Sequence, residues 1–549
     1  MNRIITPLLL CCAVTTQPVP GGPLRPKDWI THRFNPETVQ FREVKGISER
    51  IANGQLPLNL KSFLELLLAN STEIKITGLD VYTAADQITA AKAPLDPGFT
   101  LGFNTLRTVS PEFNQISGAA TLSSLTQNSL LSYQQLLPTG QTIATGFTAT
   151  RNSTNSQFFF LNPNISGTLT FAVTQPLWRN RTNLQYRAPL QIARTQLVVA
   201  SELSKGRIAD LVAAGANQYW EAVRARDNIK VQRQTLDLAK KSYERDKQAL
   251  DLGALAKLDI LQSETQVAER KRDLIQAEYA YKAALDGLRR LIGADLSATW
   301  RDTEIVLEED PATLPPKTNV LTFEQALTAA LQTRPELGAA KLRIGIDDLN
   351  ARVARDQLRP KLDLVAQGAA SGLNGNVVPA TGILGGAPAA SVSTGFGRTL
   401  SQVFGFSYPS YGGGIQFTPQ FRNSAAQAQL ADALVNKTRD RYSERQVQQQ
   451  VTLEVRQAVT AIELAGAAID AATVARDLAK RNVAAEQQKY ELGSITAFEV
   501  LDSQSRLANA ESALLNDFVA YQEAFVGYQR ATWTLLDSLG MVIESPQIQ

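Results

Sequence analysis

Apolar side chains recur every seven residues along two long stretches of this chain. The first stretch spans residues 179–252 and places an apolar or small residue at every seventh position from Ile208 onward. In the second, residues 423–492, apolar residues from Val455 follow alternating steps of three and four. A repeat of this kind predicts long α-helices packed as left-handed coiled coils. At 1.5 Å per residue, each helix would be on the order of 100 Å long.

A second pattern, in which apolar and polar residues alternate, precedes each of these helices. Strands are expected within about residues 98–175 and 361–418. The stretches 105–166 and 367–413 are rich in Gly, Ser, Thr and Asn, and runs such as 141–150 predict strands joined by long polar loops. A proline stands at every change from one pattern to the other, where it removes a backbone donor and fixes φ. These helix–strand switches are Pro97, Pro176, Pro360 and Pro419.

The two halves are copies of one unit. Leu252–Ser263 is echoed 240 positions later by Leu492–Ser503, with Leu, Gly, Leu and Ser at the same places. Gly253 and Gly493 suit the left-handed position that ends a helix. We therefore predict an α+β protein with a duplicated helix–strand–strand–helix–helix unit. The shorter helices that return from the two tips are expected at about residues 256–291 and 496–537.

The chain divides into six predicted segments. Arg3 followed by the apolar run 4–14 is typical of a secretory signal, although a mis-assigned start is the alternative. Leu9-Leu10-Cys11-Cys12 loosely resembles a bacterial lipobox, which makes Cys12 a candidate lipidation site. The segments are a signal peptide (1–16), an N-terminal extension (17–58), a first repeat (59–293, tip 253–259), an equatorial connection (294–319), a second repeat (320–540, tip 493–499) and a C-terminal tail (541–549).

Composition excludes several classes of function. A formal net charge of +3, with 19% charged residues, gives no argument for nucleic acid. The only cysteines are Cys11 and Cys12 and the only histidine is His32, so neither a conventional zinc site nor a His-based triad can be assembled. We expect no enzyme, cofactor or metal site. No stretch of about 18 uninterrupted apolar residues occurs, so a membrane would have to be crossed by a closed barrel, which one chain has too few strands to close.

Together these motifs resemble the bacterial outer-membrane efflux channels of the TolC family, over residues 59–540. The marks are Ala93–Pro97, Thr174–Trp178 and the two Leu-Gly tips. The resemblance implies a homotrimer in the cell outer membrane, in which each protomer gives four strands to a 12-stranded β-barrel. A long α-helical coiled-coil barrel would continue it through the periplasm. The implied partners are outer-membrane lipid, a periplasmic membrane-fusion adaptor and an inner-membrane transporter of the RND, ABC or MFS type.

The resemblance also assigns roles at the tips. Glu499 and Asp502 share one helix face and match pore-facing acids, so a trimer would carry six carboxylates that favour cations. Asp259 and Tyr490 match inter-coil contacts, but Ile495 replaces the usual basic partner. Ordinary hairpin turns and solvated helix starts are the alternatives. The expected adaptor-docking residues are Gly253, Leu255, Leu258, Gly493, Ile495 and Phe498.

The function that the resemblance implies is the outer-membrane exit duct of a tripartite efflux system. Two alternatives are an outer-membrane channel for type I protein secretion, which would use the same residues, and a non-channel periplasmic coiled-coil scaffold. The scaffold would lack the two strand–proline–aromatic entries. Two Met and one His give no support to a dedicated copper or silver route.

Overall fold

The computed structural model describes residues 46–52, 54–111, 120–156, 159–252, 257–294, 298–314, 321–377, 395–492 and 494–540, without the side chains of 257–259 and 298–299. The predictions for the signal peptide, Cys12, Gly253, Leu255, Gly493 and the C-terminal tail lie outside these residues, as do the side chains of Leu258 and Asp259. The described residues belong to one compact unit, which begins at Gly46.

The elements follow the duplicated order. The first repeat contains α1 (Leu60–Asn70), α2 (Thr72–Ala90), β2 (Gly98–Pro111), β3 (Thr121–Leu136), β4 (Thr142–Thr154), β5 (Leu161–Pro176), α3 (Leu184–Asp251) and α4 (Lys257–Leu291), preceded by β1 (Gln55–Leu58). After α5 (Ala298–Arg301) and β6 (Glu304–Leu307), the second repeat contains α6 (Phe323–Thr333), α7 (Pro335–Gln357), β7 (Lys361–Val377), α8 (Phe396–Phe404), β8 (Tyr408–Thr418), α9 (Ser424–Glu491), α10 (Ala497–Ala531) and α11 (Leu535–Ser538).

The long helices have matching lengths in the two repeats. Both α3 and α9 contain 68 residues, and both α4 and α10 contain 35. The switch prolines stand at the junctions between helices and strands: Pro97 directly precedes β2, Pro176 ends β5, Pro360 directly precedes β7 and Pro419 directly follows β8.

One antiparallel sheet contains six strands in the order β2-β3-β4-β5-β7-β8. The first repeat contributes four strands and the second contributes two, which differs from the expected total of four. The two additional strands arise because a tight turn lies within a Gly-, Ser-, Thr- and Asn-rich stretch whose composition predicts a long polar loop. Gly140 adopts φ +89 and donates its backbone N–H to Leu137 O, which reverses the chain between β3 and β4.

The helices form a layer in which the duplicated hairpins lie side by side. α10 lies between α9 and α3, and α4 packs on the other side of α3. In the half nearer the sheet, α3 packs with α2 and α7, and α7 packs with α9. The predicted heptad seam is the core of one interface, where Val455 and Ile462 of α9 meet Tyr521 and Tyr528 of α10.

A small belt surrounds the middle of α3. β1 pairs in parallel with β6, so the last residues of the predicted N-terminal extension belong to this belt. Tyr219 of α3 is fully buried and donates its hydroxyl to Leu58 O at 2.9 Å, and Arg226 donates to Leu307 O at 2.6 Å. Both bonds tie the belt to the long helix.

One helix in the described part of the chain, α9, is long and apolar enough to cross a membrane by length and composition alone. The sequence predicts no membrane-spanning helix, because it has no uninterrupted apolar stretch of about 18 residues. Only a small share of its apolar window is buried in the single chain. Since α9 is packed along its length against α10, α7 and α6, we interpret the window as an exposed packing face of the helical layer.

Candidate functional site

The two faces of the sheet have opposite chemistry. In the six strands the residues that share one face are mostly apolar over the part nearest the helices, and the register places them side by side across the sheet. The other face presents mainly hydroxyl, amide and glycine residues, with Leu106, Leu130 and Val365 among them. The apolar face includes Phe99, Leu101, Tyr133, Leu131, Ile143, Phe147, Leu169, Phe171, Val173, Leu364, Ile415 and Phe417, and the polar face includes Thr100, Asn104, Ser132, Asn128, Thr148, Thr170, Thr168, Gln367, Ser371 and Gln416.

The apolar face has the height of a membrane. Going away from the helices, this face begins at Phe99 in β2 and at Ile143 in β4 and ends at Arg107 and Arg151, and Thr105 and Thr145 are its polar members between these ends. Eight residues of a tilted strand rise about 20 Å, close to the apolar band of about 25 Å that outer-membrane barrels expose. An outer-membrane barrel requires strands whose residues alternate between an apolar outer face and a polar inner face.

A short helix covers part of the apolar face at the end farther from the long helices. Thr399 of α8 donates its hydroxyl to Ile165 O at 3.3 Å, and the Gln402 side chain accepts from Leu373 N at 2.9 Å. A Cβ at Gly372 would lie 2.6 Å from Thr399 O, so only glycine allows this approach. The helix is thereby held directly on β5 and β7.

The sheet and the helical layer both end in unpartnered edges. β2 and β8 are the outer strands of the six, and each has an unpaired backbone edge. Among the described elements, α2 and α4 form one side of the helical layer and α9 forms the other. Because α2 leads into β2 and β8 leads into α9, the open edges of sheet and helices coincide.

The open side of α9 carries a second apolar stripe. Its members are exposed, Leu464 by 69%, and they follow steps of three and four, as the buried seam does. α4 exposes Leu261, Ile275 and Tyr279 on the opposite side of the protomer. Apolar heptad positions without a partner mark a coiled-coil interface with another chain. The stripe on α9 is Leu464, Ala467, Ala471, Val474 and Leu478.

The hairpin tips are joined by a buried carboxylate. Asp246 of α3 is 1% exposed and accepts a hydrogen bond from the Tyr490 hydroxyl of α9 at 3.0 Å. The Ser263 hydroxyl of α4 donates to the other oxygen of Asp246. The Arg245 guanidinium lies 4.9 Å from the centre of the Tyr490 ring. We call these four residues the tip latch; within one protomer it links three helices.

The latch differs in detail from the expectation. Tyr490 does make an inter-coil contact, but its described acidic partner is Asp246; the side chain of Asp259 lies outside the described residues. Arg245 is the basic residue that lies against Tyr490. Asp246 and Ser263 were missed, because one acid and one serine among many on α3 and α4 carry no sequence signal of burial.

The tip acids lie at the start of α10 with unequal partners. Glu499 is exposed. Asp502 is half-exposed and forms an ion pair of 2.7 Å with Arg506, one turn further along the helix. The start of α10 therefore carries two carboxylates and one guanidinium. Its net charge of one negative unit per protomer is half of the two units expected from Glu499 and Asp502 alone. The four-residue spacing of Asp502 and Arg506 would have revealed this pair.

The end of the hairpins exposes large apolar side chains. Leu252 is 85% exposed, Leu492 is 83% exposed and Phe498 is 64% exposed, whereas Ile495 is half-buried. Leu252 and Leu492 occupy equivalent places in the two repeats, at the C-caps of α3 and α9. The exposed apolar surface at the tips therefore includes two leucines beyond the residues named from the sequence.

A cluster of charged side chains fixes the helical layer at its equator. Arg334, at the junction of α6 and α7, has a side chain only 3% exposed and pairs with Glu454 of α9 and, at 3.4 Å, with Glu336. Arg530 of α10 pairs with Glu336 at 2.8 Å and with Asp210 of α3. Burial, followed by the nearby Arg530 charge, lowers the pKa of the Arg334 guanidinium. These five residues, the equatorial ion cluster, join four helices.

The geometry defines a class of protein. A sheet that is apolar on one face and polar on the other, with open edges and continuous with helices of 68 residues, is one subunit of a membrane channel with a helical extension. The model of the outer membrane efflux protein family matches residues 63–294 and 326–532. The chain belongs to this family, and the predicted resemblance and location in the outer membrane are confirmed.

Solved structures share the fold. The Campylobacter jejuni CmeC outer membrane channel is 15% identical with a TM-score of 0.60, covering 89% of this chain and 87% of CmeC. The outer membrane protein VceC of Vibrio cholerae is 17% identical with a TM-score of 0.59, covering 86% of this chain and 95% of VceC. Protein CyaE of Bordetella pertussis is 26% identical over 187 residues, which are 34% of this chain and 38% of CyaE.

Proposed function

We propose that three copies of this chain close into a ring and form the exit duct of a tripartite efflux system. The two open edges of the protomer are different surfaces, so copies can only join head to tail, with β2 and α4 of one against β8 and α9 of the next. Such a heterologous contact gives a closed ring when the rotation closes. Three copies is the number expected for the family.

The faces of the sheet set the path of the cargo. The apolar face contacts lipid, and the hydroxyl and amide face lines a water-filled lumen. The helical layer continues the lumen into the periplasm, where the tip latch holds the hairpins together. The exposed leucines and Phe498 at the tips are suited to pack against the hairpin of a periplasmic adaptor, which connects the duct to an inner-membrane transporter.

The coincidence of open edges in the sheet and in the helices is the observation that carries the proposal. A scaffold without a channel has no use for a two-faced sheet, and the family match also speaks against that alternative. A lumen of mainly hydroxyl and amide side chains, in which Lys361 and Asp363 form an ion pair, suits small molecules or polypeptide, so a role in protein secretion is the alternative for the cargo.

The apolar stripe on α9 offers the test. Leu464→Asp with Leu478→Asp places charges on the stripe, and we expect the detergent-extracted trimer to dissociate into monomers, as measured by native mass spectrometry. The matched control is Glu463→Gln with Lys480→Gln, two polar exposed positions on the same helix. Trimers that persist with both aspartates present, or a wild-type protein that is monomeric in the membrane, would overturn the proposal.

A further inference from the structure

The first repeat carries one β-hairpin that has no counterpart in the second. β3 and β4 lie between β2 and β5, and each is paired along most of its length on both sides. In the second repeat, β7 pairs directly with β8. The hairpin is therefore a part of the sheet and widens the contribution of each chain from four strands to six.

The side chains of this hairpin fit a membrane wall. Leu131 and Tyr133 of β3, with Ile143 and Phe147 of β4, lie on the apolar face in register with Leu101 and Leu169 of their neighbours. Ser132, Ala144 and Gly146, between them, are polar or small and lie on the polar face, whereas Thr145 is a polar residue on the apolar face. The alternation matches that of the flanking strands, which is what a lipid-facing wall requires and a surface loop does not.

The hairpin is also fixed at the end that faces the helices. The Asn183 side-chain amide, at the entry to α3, donates to Leu137 O at 3.1 Å and to Pro138 O at 3.3 Å. The register sets Thr142 of β4 opposite Thr174 of β5, near the proline switch at Pro176. The turn thus lies at the level where the other strands meet the helices, so β3 and β4 extend across the same height.

We propose that this protein forms an 18-stranded outer-membrane barrel, six strands from each of three copies, in place of the 12 strands expected from the sequence. The proposal rests on the ring of three in the proposed function. It adds that the outer-membrane segment of the duct is about one and a half times as wide as a 12-stranded barrel, because barrel diameter grows roughly linearly with strand number.

The helical layer of three copies is wide enough to continue an 18-stranded barrel. Each protomer places four helices side by side at any level, so three copies form a ring of twelve. At about 9–10 Å between axes, that ring has a circumference of about 110–120 Å. Strands about 4.8 Å apart and tilted by about 40° occupy about 6.3 Å each along the circumference. Eighteen strands then need about 113 Å, whereas twelve need about 75 Å.

The consequence concerns the size of the cargo. With eighteen strands the lumen does not narrow where the helical tunnel enters the membrane, and its cross-section is about twice that of a 12-stranded barrel at equal tilt. Selection by size is then made at the periplasmic tips. The barrel is suited to bulky cargo, such as an extended polypeptide or a large hydrated molecule, as well as to small molecules.

Distances between spin labels in the full-length trimer test the strand number. Cys11 and Cys12 are replaced by serine, and a single label is placed by Phe171→Cys on the apolar face of β5. Equivalent Cα atoms should be about 31 Å apart with eighteen strands and about 21 Å apart with twelve, to which the label adds equally. A second protein carries the label at Glu463→Cys on α9, where strand number has little influence.

The two labels separate failure of this inference from failure of the ring. Threefold distances at Glu463→Cys with the longer separation at Phe171→Cys support the 18-stranded barrel. Threefold distances at Glu463→Cys with the shorter separation overturn it and leave the duct intact. Absence of threefold distances at both positions overturns the ring and the barrel together.

A deletion gives the matched control. Removing residues 120–156 takes out β3 and β4 and leaves β2 and β5 antiparallel, with their apolar residues still on one face. If this variant inserts as a trimer, the separation at Phe171→Cys should fall by about one third. An unchanged separation would overturn the inference.

Discussion

Removing one hydroxyl from the tip latch should loosen the hairpins without disturbing their packing. Tyr490→Phe deletes the hydrogen bond to Asp246 but keeps the ring that lies against Arg245. Asp246 is 1% exposed, and water cannot readily replace the lost donor. A hydrogen bond to a charged group contributes about 1.5–3 kcal/mol, so local opening of the tip should become about ten- to a hundredfold more frequent.

Hydrogen exchange measured by mass spectrometry reports this opening directly. Amide hydrogens in peptides around residues 245–252 and 260–266 should exchange faster in Tyr490→Phe by that factor, with no change at the equator. Tyr442→Phe, at an exposed tyrosine higher on the same helix, is the matched control and should leave the tip unchanged. If Tyr490→Phe and Tyr442→Phe give the same exchange at the tip, the latch does not hold the hairpins and the reasoning is refuted.

Three further substitutions test the charged groups of the periplasmic part. Arg334→Met removes a guanidinium that is 3% exposed, which takes away the ion-pair partner of Glu454 and one of the two guanidinium partners of Glu336. The free energy of unfolding should fall by about 3 kcal/mol. Thermal unfolding measures this loss against the exposed control Arg439→Met, and equal melting temperatures would contradict it. Arg506→Gln removes the ion-pair partner of Asp502 and should raise the cation preference of the channel in planar bilayers, whereas Asp502→Asn should lower it. An unchanged reversal potential in both variants would place these residues away from the pore. Burial, and then the neighbouring Glu221, raise the pKa of Glu523, so the folded protein favours the neutral carboxyl and loses stability as the pH rises through that pKa. Glu523→Gln should therefore stabilise the protein at neutral pH and flatten its profile of melting temperature against pH. A profile parallel to that of the wild type would argue against this.

The sequence contained most of the helical architecture and less of the sheet. Heptad seams and the Leu-Gly tips predicted helices that lie within a few residues of α3 and α9, because a period repeated over so many turns is a strong signal. The prolines predicted where strands begin and end. The extra hairpin was missed, because a short Leu137–Gly140 turn between Gly- and Thr-rich runs has the composition of a loop.

The candidate site was predicted in position but only partly in chemistry. Tyr490 and the tip acids could be found by their matching places in the duplicated motif. The burial of Asp246 and Arg334 could not, since it depends on helices that are distant in sequence. The ion pair between Asp502 and Arg506 could have been predicted, because the two residues are one helical turn apart.

Cross-linking of the open edges tests most directly whether copies join into a ring. A protein with Thr100→Cys on β2 and Gln416→Cys on β8, and with Cys11 and Cys12 replaced by serine, is treated in outer membranes with a short thiol-reactive cross-linker. We predict covalent dimers and trimers on denaturing gels, with no larger species and no product from either single variant. Only monomers, or a ladder that continues past three, would contradict the closed ring of three protomers.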